Sequence, residues 1–207
     1  VIDPHLIDMI MRLRSRGISD NPLLKALELA PRKYFVDPDW IDRAYDEQSL
    51  PISCGQSISP PLTVALMSQM LQAKPDHKLL EIGTGSGYHT AILARMVARV
   101  FSVERYRQLI SEAESRLRKL GITNHVIRHG DGRYGWKGQA PFDRILVTCA
   151  LKSEPLKLLD QLAPGGELLC VIDDQLLRYQ KARTAVSKAV LFPLSLPMIE
   201  LGKSKSL

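Results

Sequence analysis

The chain is poor in the residues that would place it in several large classes. Of its 207 residues only 6% are aromatic, and three are cysteines. Cys54, Cys149 and Cys170 are odd in number, far apart and without a C-x-x-C spacing. That argues against a disulfide framework or a zinc site, and a reducing, cytoplasmic setting is expected. No apolar run reaches the roughly 18 residues of a membrane span. The opening stretch VIDPHLIDMIMRLRSRG has no small-residue cleavage site and does not read as a signal peptide. His5, His77, His89, His125 and His129 have no metal-ligand spacing, so no metal is expected. The net charge is +6, but the basic stretches at 12–16, 105–119 and 178–188 are short or interrupted. They read as solvated helix faces rather than a nucleic-acid surface. A monomer is expected.

What is present is a change of rhythm near residue 78. Before it, Leu6, Met9, Ile10 and Leu13 mark one helix face. Asn21-Pro22 reads as an N-cap and first-turn proline of a helix that Pro31 stops. Residues 32–59 read as loop-rich, with a helical turn near Trp40. Ser59 is expected to cap a helix that Pro60-Pro61 opens and Leu62–Leu71 forms. From Lys78 onward, apolar runs alternate with helical stretches. The expected strands are Lys78–Ile82, Val100–Glu104, His125–His129, Asp143–Thr148 and Glu167–Ile172. Expected helices lie near Tyr88–Val97, Tyr106–Leu120 and Glu154–Leu162. Pro164-Gly165-Gly166 is read as a turn, 176–191 as a further strand pair, and the tail GKSKSL as frayed. This pattern predicts an α/β fold: a doubly wound, mostly parallel, seven-stranded Rossmann-like sheet with an N-terminal helical extension. The expected division is 1–59, helical segment and active-site loop, and 60–207, the core.

The most informative stretch is LLEIGTGSGYHT, residues 79–90. Gly83, Gly85 and Gly87 follow the first strand, where a doubly wound sheet binds ligands. The dinucleotide pattern G-x-G-x-x-G is absent, because Tyr88 holds its last position. A P-loop is absent because no lysine follows. Glu81, two residues before the first glycine, suits a cation better than a phosphate. Glu104, ending the next strand, suits two ribose hydroxyls. Asp131, in Gly130-Asp131-Gly132 after the third strand, suits an adenine amine. A phosphate-free cationic nucleoside, S-adenosyl-L-methionine, fits these positions together. The histidines read as surface or satisfied side chains rather than ligands; His89, which follows the loop, is the one within reach of such a site.

The chain further resembles the protein-L-isoaspartate O-methyltransferase family. The resemblance is carried by RSRGISDNPLLKALELAPRKYFV, LPISCGQSISPPLTVALM, GDGRYGW, APFDRILVTCA and LLDQLAPGGEL, in that order. It implies methyl transfer from S-adenosyl-L-methionine to the carboxylate of L-isoaspartyl residues in damaged proteins or peptides. It implies Ser59 at the transfer site, and Gln56, Ser57 and Ile58 in a loop over cofactor and substrate. Glu81, Ile82, Gly83, Thr84, Gly85 and Gly87 would border the methionine end. Glu104 and Arg105 would take the ribose, and Gly130, Asp131 and Gly132 the adenine. Thr148, Cys149 and Ala150 would face the acceptor. Where the family carries a proline- and glycine-containing closing loop, this chain has Ile172-Asp173-Asp174-Gln175, so a changed acceptor side is expected. Two other readings stay open at this level: the same cofactor with an RNA or dedicated peptide acceptor, or a regulatory cofactor-binding protein. Against base N-methylation, VTCA stands where [DN]-P-P-[YF] belongs.

Overall fold

A computed structural model describes residues 3–183 and 185–204. Helix α1, Pro4–Ser15, is capped by Asp3 and buries Leu6, Met9, Ile10 and Leu13. Helix α2, Asn21–Leu29, starts one residue earlier than the sequence suggested. Asp20 is its cap, with Oδ1 accepting from Leu23 N–H at 3.0 Å, and Asn21 and Pro22 fill the first turn. Residues 32–59 form 3-10 turns at Arg32–Tyr34, Pro38–Arg43 and Ser53–Gly55. Two short strands, β1 (Leu50–Pro51) and β2 (Ser57–Ile58), pair antiparallel there.

Helix α3, Pro61–Leu71, corrects a second cap. Pro60 holds the N-cap position and offers no side-chain acceptor. The paired prolines push Ser59 outside the helix. The acceptor comes from elsewhere: Glu47 Oε1 takes the Leu62 N–H at 3.0 Å. A carboxylate is favourable there because it meets both an unpaired N–H and the positive end of the helix dipole.

The main sheet contains β3 (Lys78–Ile82), β4 (Arg99–Glu104), β5 (His125–His129), β6 (Phe142–Leu151), β7 (Leu162–Ile172), β8 (Gln175–Lys181) and β9 (Val186–Pro193), in the order β5-β4-β3-β6-β7-β8-β9. The first five are mutually parallel; β8 and β9 add antiparallel. Helices α4 (Tyr88–Ala94) and α5 (Arg107–Lys119) make the crossovers, while α6 shrinks to Leu156–Leu159. The expected turn at Pro164-Gly165-Gly166 lies inside β7, where the register against β6 shifts between Phe142 and Arg144. A bulge absorbs it, as interior glycine and proline require.

Alternation along β3 sorts the core. Leu79 joins one cluster with Met9, Leu13, Leu27, Ala91 and Leu109; Leu80 and Ile82 join another with Phe101, Phe142, Val147 and Leu168. The helices α1–α5 cover the first face. The second is covered more thinly, by α6, Trp136 and their neighbours.

After β9 the chain returns to the carboxyl ends of the strands. Ala150 N–H donates to Pro197 O at 2.8 Å, and Ile199 N–H to Ala150 O at 2.8 Å. Gly202 N–H reaches Asp131 Oδ2 at 3.1 Å and Ser204 N–H reaches Arg105 O at 3.1 Å. The expected fraying is therefore not found at 202–204; residues 205–207 lie outside the described ones.

Candidate active site

The strand order reverses between β3 and β6, and a cleft opens there at the strand carboxyl ends. Its floor is the glycine loop. Gly83, at φ +95, replaces a side chain whose Cβ would stand 2.5 Å from Thr148 Oγ1. The Thr148 hydroxyl itself lies 2.9 Å from the Ile82 and Gly83 carbonyl oxygens. Gly87, at φ +87, begins α4 with its would-be Cβ 3.0 Å from that of Ala113. Gly83 thereby brings bare backbone to the cleft surface, while Gly87 lets α4 pack closely on α5.

Glu104 organises one wall. Its Oε2 accepts from Gly85 N–H at 2.9 Å; its Oε1 accepts from Arg105 and Tyr106 N–H at 2.7 and 3.0 Å. The side chain is thus fixed by three backbone donors while it still borders the cleft. An ionised carboxylate has about four acceptor sites, so capacity remains for a ligand.

Glu81 is placed differently from the expectation. It is fully buried behind the loop and does not line the cleft. Its Oε2 accepts from Thr90 Oγ1 at 2.5 Å and Ser102 Oγ at 2.7 Å, and Ser102 lies 2.6 Å from Thr84 Oγ1. Burial raises this carboxyl to about 7, against the opposing pull of the two hydroxyls. Through Oε2 it ties loop, β4 and α4 together.

The cleft is bordered by Gln56, Ser57, Ile58 and Ser59 from the β2 loop, by Ile82, Gly83, Thr84 and Gly85, by Glu104 and Arg105, and by Gly132, Thr148 and Cys149. Gly87, Gly130, Asp131 and Ala150, like Glu81, stand behind it. Both Asp131 oxygens are engaged. Oδ1 accepts from Arg133 N–H at 3.0 Å, and Oδ2 accepts from Arg133 Nη2 at 2.6 Å and from Gly202 N–H. This pairing, with backbone donors, holds the Asp131 carboxyl below the ordinary range despite burial. Ala150 is taken up in pairing with the returning segment 197–199.

Sequence reasoning missed several cleft residues. Tyr106 adjoins Glu104-Arg105 and was within reach of that motif. Pro197, Met198, Ile199 and Glu200 carried no signal. Glu200 accepts from Gln56 Nε2 at 2.9 Å and Tyr106 OH at 2.8 Å, and pairs with Arg105. It joins the β2 loop to the returning chain across the cleft. The hairpin at Ile172–Gln175 has both Asp173 and Asp174 at positive φ (51° and 54°) and does not border the cleft. Residues 197–200 border it instead. His89 borders the cleft and is also buried, 2.8 Å from Ser68 Oγ; burial lowers it to about 3, so it is neutral. Burial pushes the Cys149 thiol up to about 12. Among the described residues, no three His, Cys, Asp or Glu side chains gather as a metal site, and no helix is long and apolar enough to cross a membrane.

The cleft suits an adenosyl cofactor: the bare glycine backbone admits close approach, and Glu104 Oε2, with one donor, keeps an acceptor site for a ribose hydroxyl. Comparison with known proteins agrees. Residues 5–192 match the family described as Protein-L-isoaspartate(D-aspartate) O-methyltransferase. A Maricaulis maris protein-L-isoaspartate O-methyltransferase is 44% identical over 209 residues, covering 99% of this chain and 98% of that one. The Rhodospirillum rubrum enzyme of the same name is 52% identical over 164 residues, 79% of this chain and 75% of that one. A Plasmodium falciparum structure of that description, in complex with S-adenosyl-L-homocysteine, superposes with a TM-score of 0.82 at 24% identity, covering 96% of this chain and 99% of that one. It establishes the shared fold. Cleft, strand order and sequence thus converge, and the chain belongs to the protein-L-isoaspartate O-methyltransferase family.

Proposed function

We propose that this chain transfers a methyl group from S-adenosyl-L-methionine to the carboxylate of L-isoaspartyl residues in altered proteins and peptides. The observation that carries this reading is the cradle of Gly83, Gly85 and Glu104 at the switch point, with no phosphate-binding lysine beside it. Glu104 would accept from the ribose hydroxyls, and Gly83–Gly85 would border the methionine end. Gly132 would border the adenine. Asp131, engaged by Arg133 and Gly202, supports that turn from behind. When bound, the cofactor supplies an electrophilic methyl group on a sulfonium.

The acceptor supplies the electron pair. A carboxylate is ionised near pH 7, so no general base is needed. The cleft agrees, because burial leaves His89 too weak a base, at about 3, and keeps the Cys149 thiol protonated. The protein's part is to orient the acceptor and exclude water. Ser59 borders the cleft and its hydroxyl makes no hydrogen bond among the described residues, which leaves it free for an acceptor oxygen. Thr148 and Cys149 face the same end. Residues 1–59 supply the loop and its supports, and 60–207 the cofactor core. Three free cysteines fit a reducing, cytoplasmic setting.

A paired-peptide assay tests the reading. With labelled cofactor, an L-isoaspartyl peptide takes up methyl and its L-aspartyl twin does not. Equal labelling of both, or of neither, rejects it.

A further inference from the structure

Arg32 is the largest fully buried side chain outside the parallel sheet, and it forms no salt bridge among the described residues. A buried cation needs compensation. Here its hydrogen-bond partners are backbone carbonyls, while the nearby Glu47 and Asp46 carboxylates add favourable charge. Nη1 donates to Ala44 O at 2.5 Å. Nη2 donates to Gln48 O at 3.0 Å, Ser59 O at 2.9 Å and, more loosely, Ile58 O at 3.3 Å. Two of these carbonyls belong to the N-terminal segment. The other two belong to the cleft-bordering end of the β2 loop.

The same segment makes a second attachment. Glu47 accepts from Leu62 N–H, three residues beyond Ser59. Between the two attachments lie only Pro60 and Pro61, whose rings fix φ and offer no N–H. Ser59 is therefore flanked by two carbonyls that a planar guanidinium holds, and followed by two stiff residues and a helix start that a carboxylate holds. Nothing grips its hydroxyl.

We propose that Arg32 is a positioning residue for methyl transfer. Through the Ile58 and Ser59 carbonyls it sets where the acceptor-side loop stands against the cofactor cleft, and Glu47 fixes the start of the helix that follows the loop. The guanidinium is suited to this because its donors lie in one rigid plane; an ammonium cannot span four carbonyls in that geometry. Arg32 touches no reacting atom, so its effect falls on alignment far more than on cofactor binding. The inference rests on the reading of the β2 loop as the acceptor side.

Arg32→Lys, Glu47→Ala and Ser59→Ala are compared by steady-state methylation of an isoaspartyl peptide and by calorimetric titration with S-adenosyl-L-homocysteine. Arg32→Lys should lower kcat/KM for the peptide about 10- to 100-fold, as small misplacements do, while the product's Kd stays within about threefold. Glu47 is exposed, so Glu47→Ala folds and keeps the test open where Arg32→Lys does not; it should show the same split, at about three- to tenfold. Wild-type kcat/KM in both variants overturns the proposal, and so does a loss of product affinity in step with turnover. Ser59→Ala separates the two readings. If it turns over normally, the hydroxyl's assignment fails while a split at Arg32 and Glu47 still stands.

Discussion

Substitution of Glu104 by Gln probes the site at its most committed residue. The carboxylate accepts from Gly85 through one oxygen and from Arg105 and Tyr106 through the other. An amide keeps a single acceptor oxygen. Turned toward Gly85, it sets its NH2 against the N–H groups of Arg105 and Tyr106; turned the other way, it opposes Gly85. In either orientation a buried donor loses its partner and a ribose diol loses one acceptor. A hydrogen bond to a charged group contributes about 1.5–3 kcal/mol, which corresponds to roughly 10- to 150-fold in Kd. Calorimetry with S-adenosyl-L-homocysteine should show that loss. The 2′-deoxyribose form of the product adds a cycle. It should bind the wild type more weakly by a similar factor, yet lose less on the Gln variant, because the two changes remove parts of one interaction. An unchanged Kd on Glu104→Gln, or strictly additive losses, would refute the assignment of Glu104 to the ribose.

Two further perturbations address Glu81 and Glu200. Glu81 ionises near 4.5 when unfolded and near 7 when folded, so the folded chain holds this proton longer. Its contribution to stability is full below pH 4.5 and is lost as pH rises to about 7, in total about 3 kcal/mol. Glu81→Gln should remove that slope between about pH 4.5 and pH 7 in urea unfolding; parallel pH profiles for variant and wild type would contradict the burial argument. Glu200→Ala frees Gln56, Tyr106 and Arg105 from the segment that crosses the cleft. Because this carboxylate is about half exposed, the effect is modest: product dissociation in stopped-flow accelerates about three- to tenfold, with little change in Tm. Unaltered dissociation would mean that 197–200 does not gate the cleft.

The parallel strands and the glycine loop were legible because their signals are local. Lys78–Ile82 and His125–His129 are contiguous runs bounded by turn formers, and both form as read. Gly83-x-Gly85-x-Gly87 requires left-handed backbone at each glycine, whatever lies around it. Caps were less legible. Asp20 and Asn21 are both good caps, and only the trajectory of the chain chose the former. Ser59 carried the residue type of a cap but was displaced by Pro60-Pro61. The helix from Glu154 shrank to one turn because β7 begins at Leu162, earlier than its apolar run suggested.

From its sequence alone the chain fixes the α/β order, the switch-point loop and the carboxylate that ends β4, since each depends on residue type within a few positions. Tertiary structure decided the rest. It buried Glu81 against Thr90 and Ser102, brought Glu47 to the start of α3, set Arg32 among four carbonyls and carried Glu200 to Gln56 across 144 residues of chain. A charged side chain takes whichever donors or acceptors the fold leaves unpaired within its reach, and those are known only after distant segments have packed.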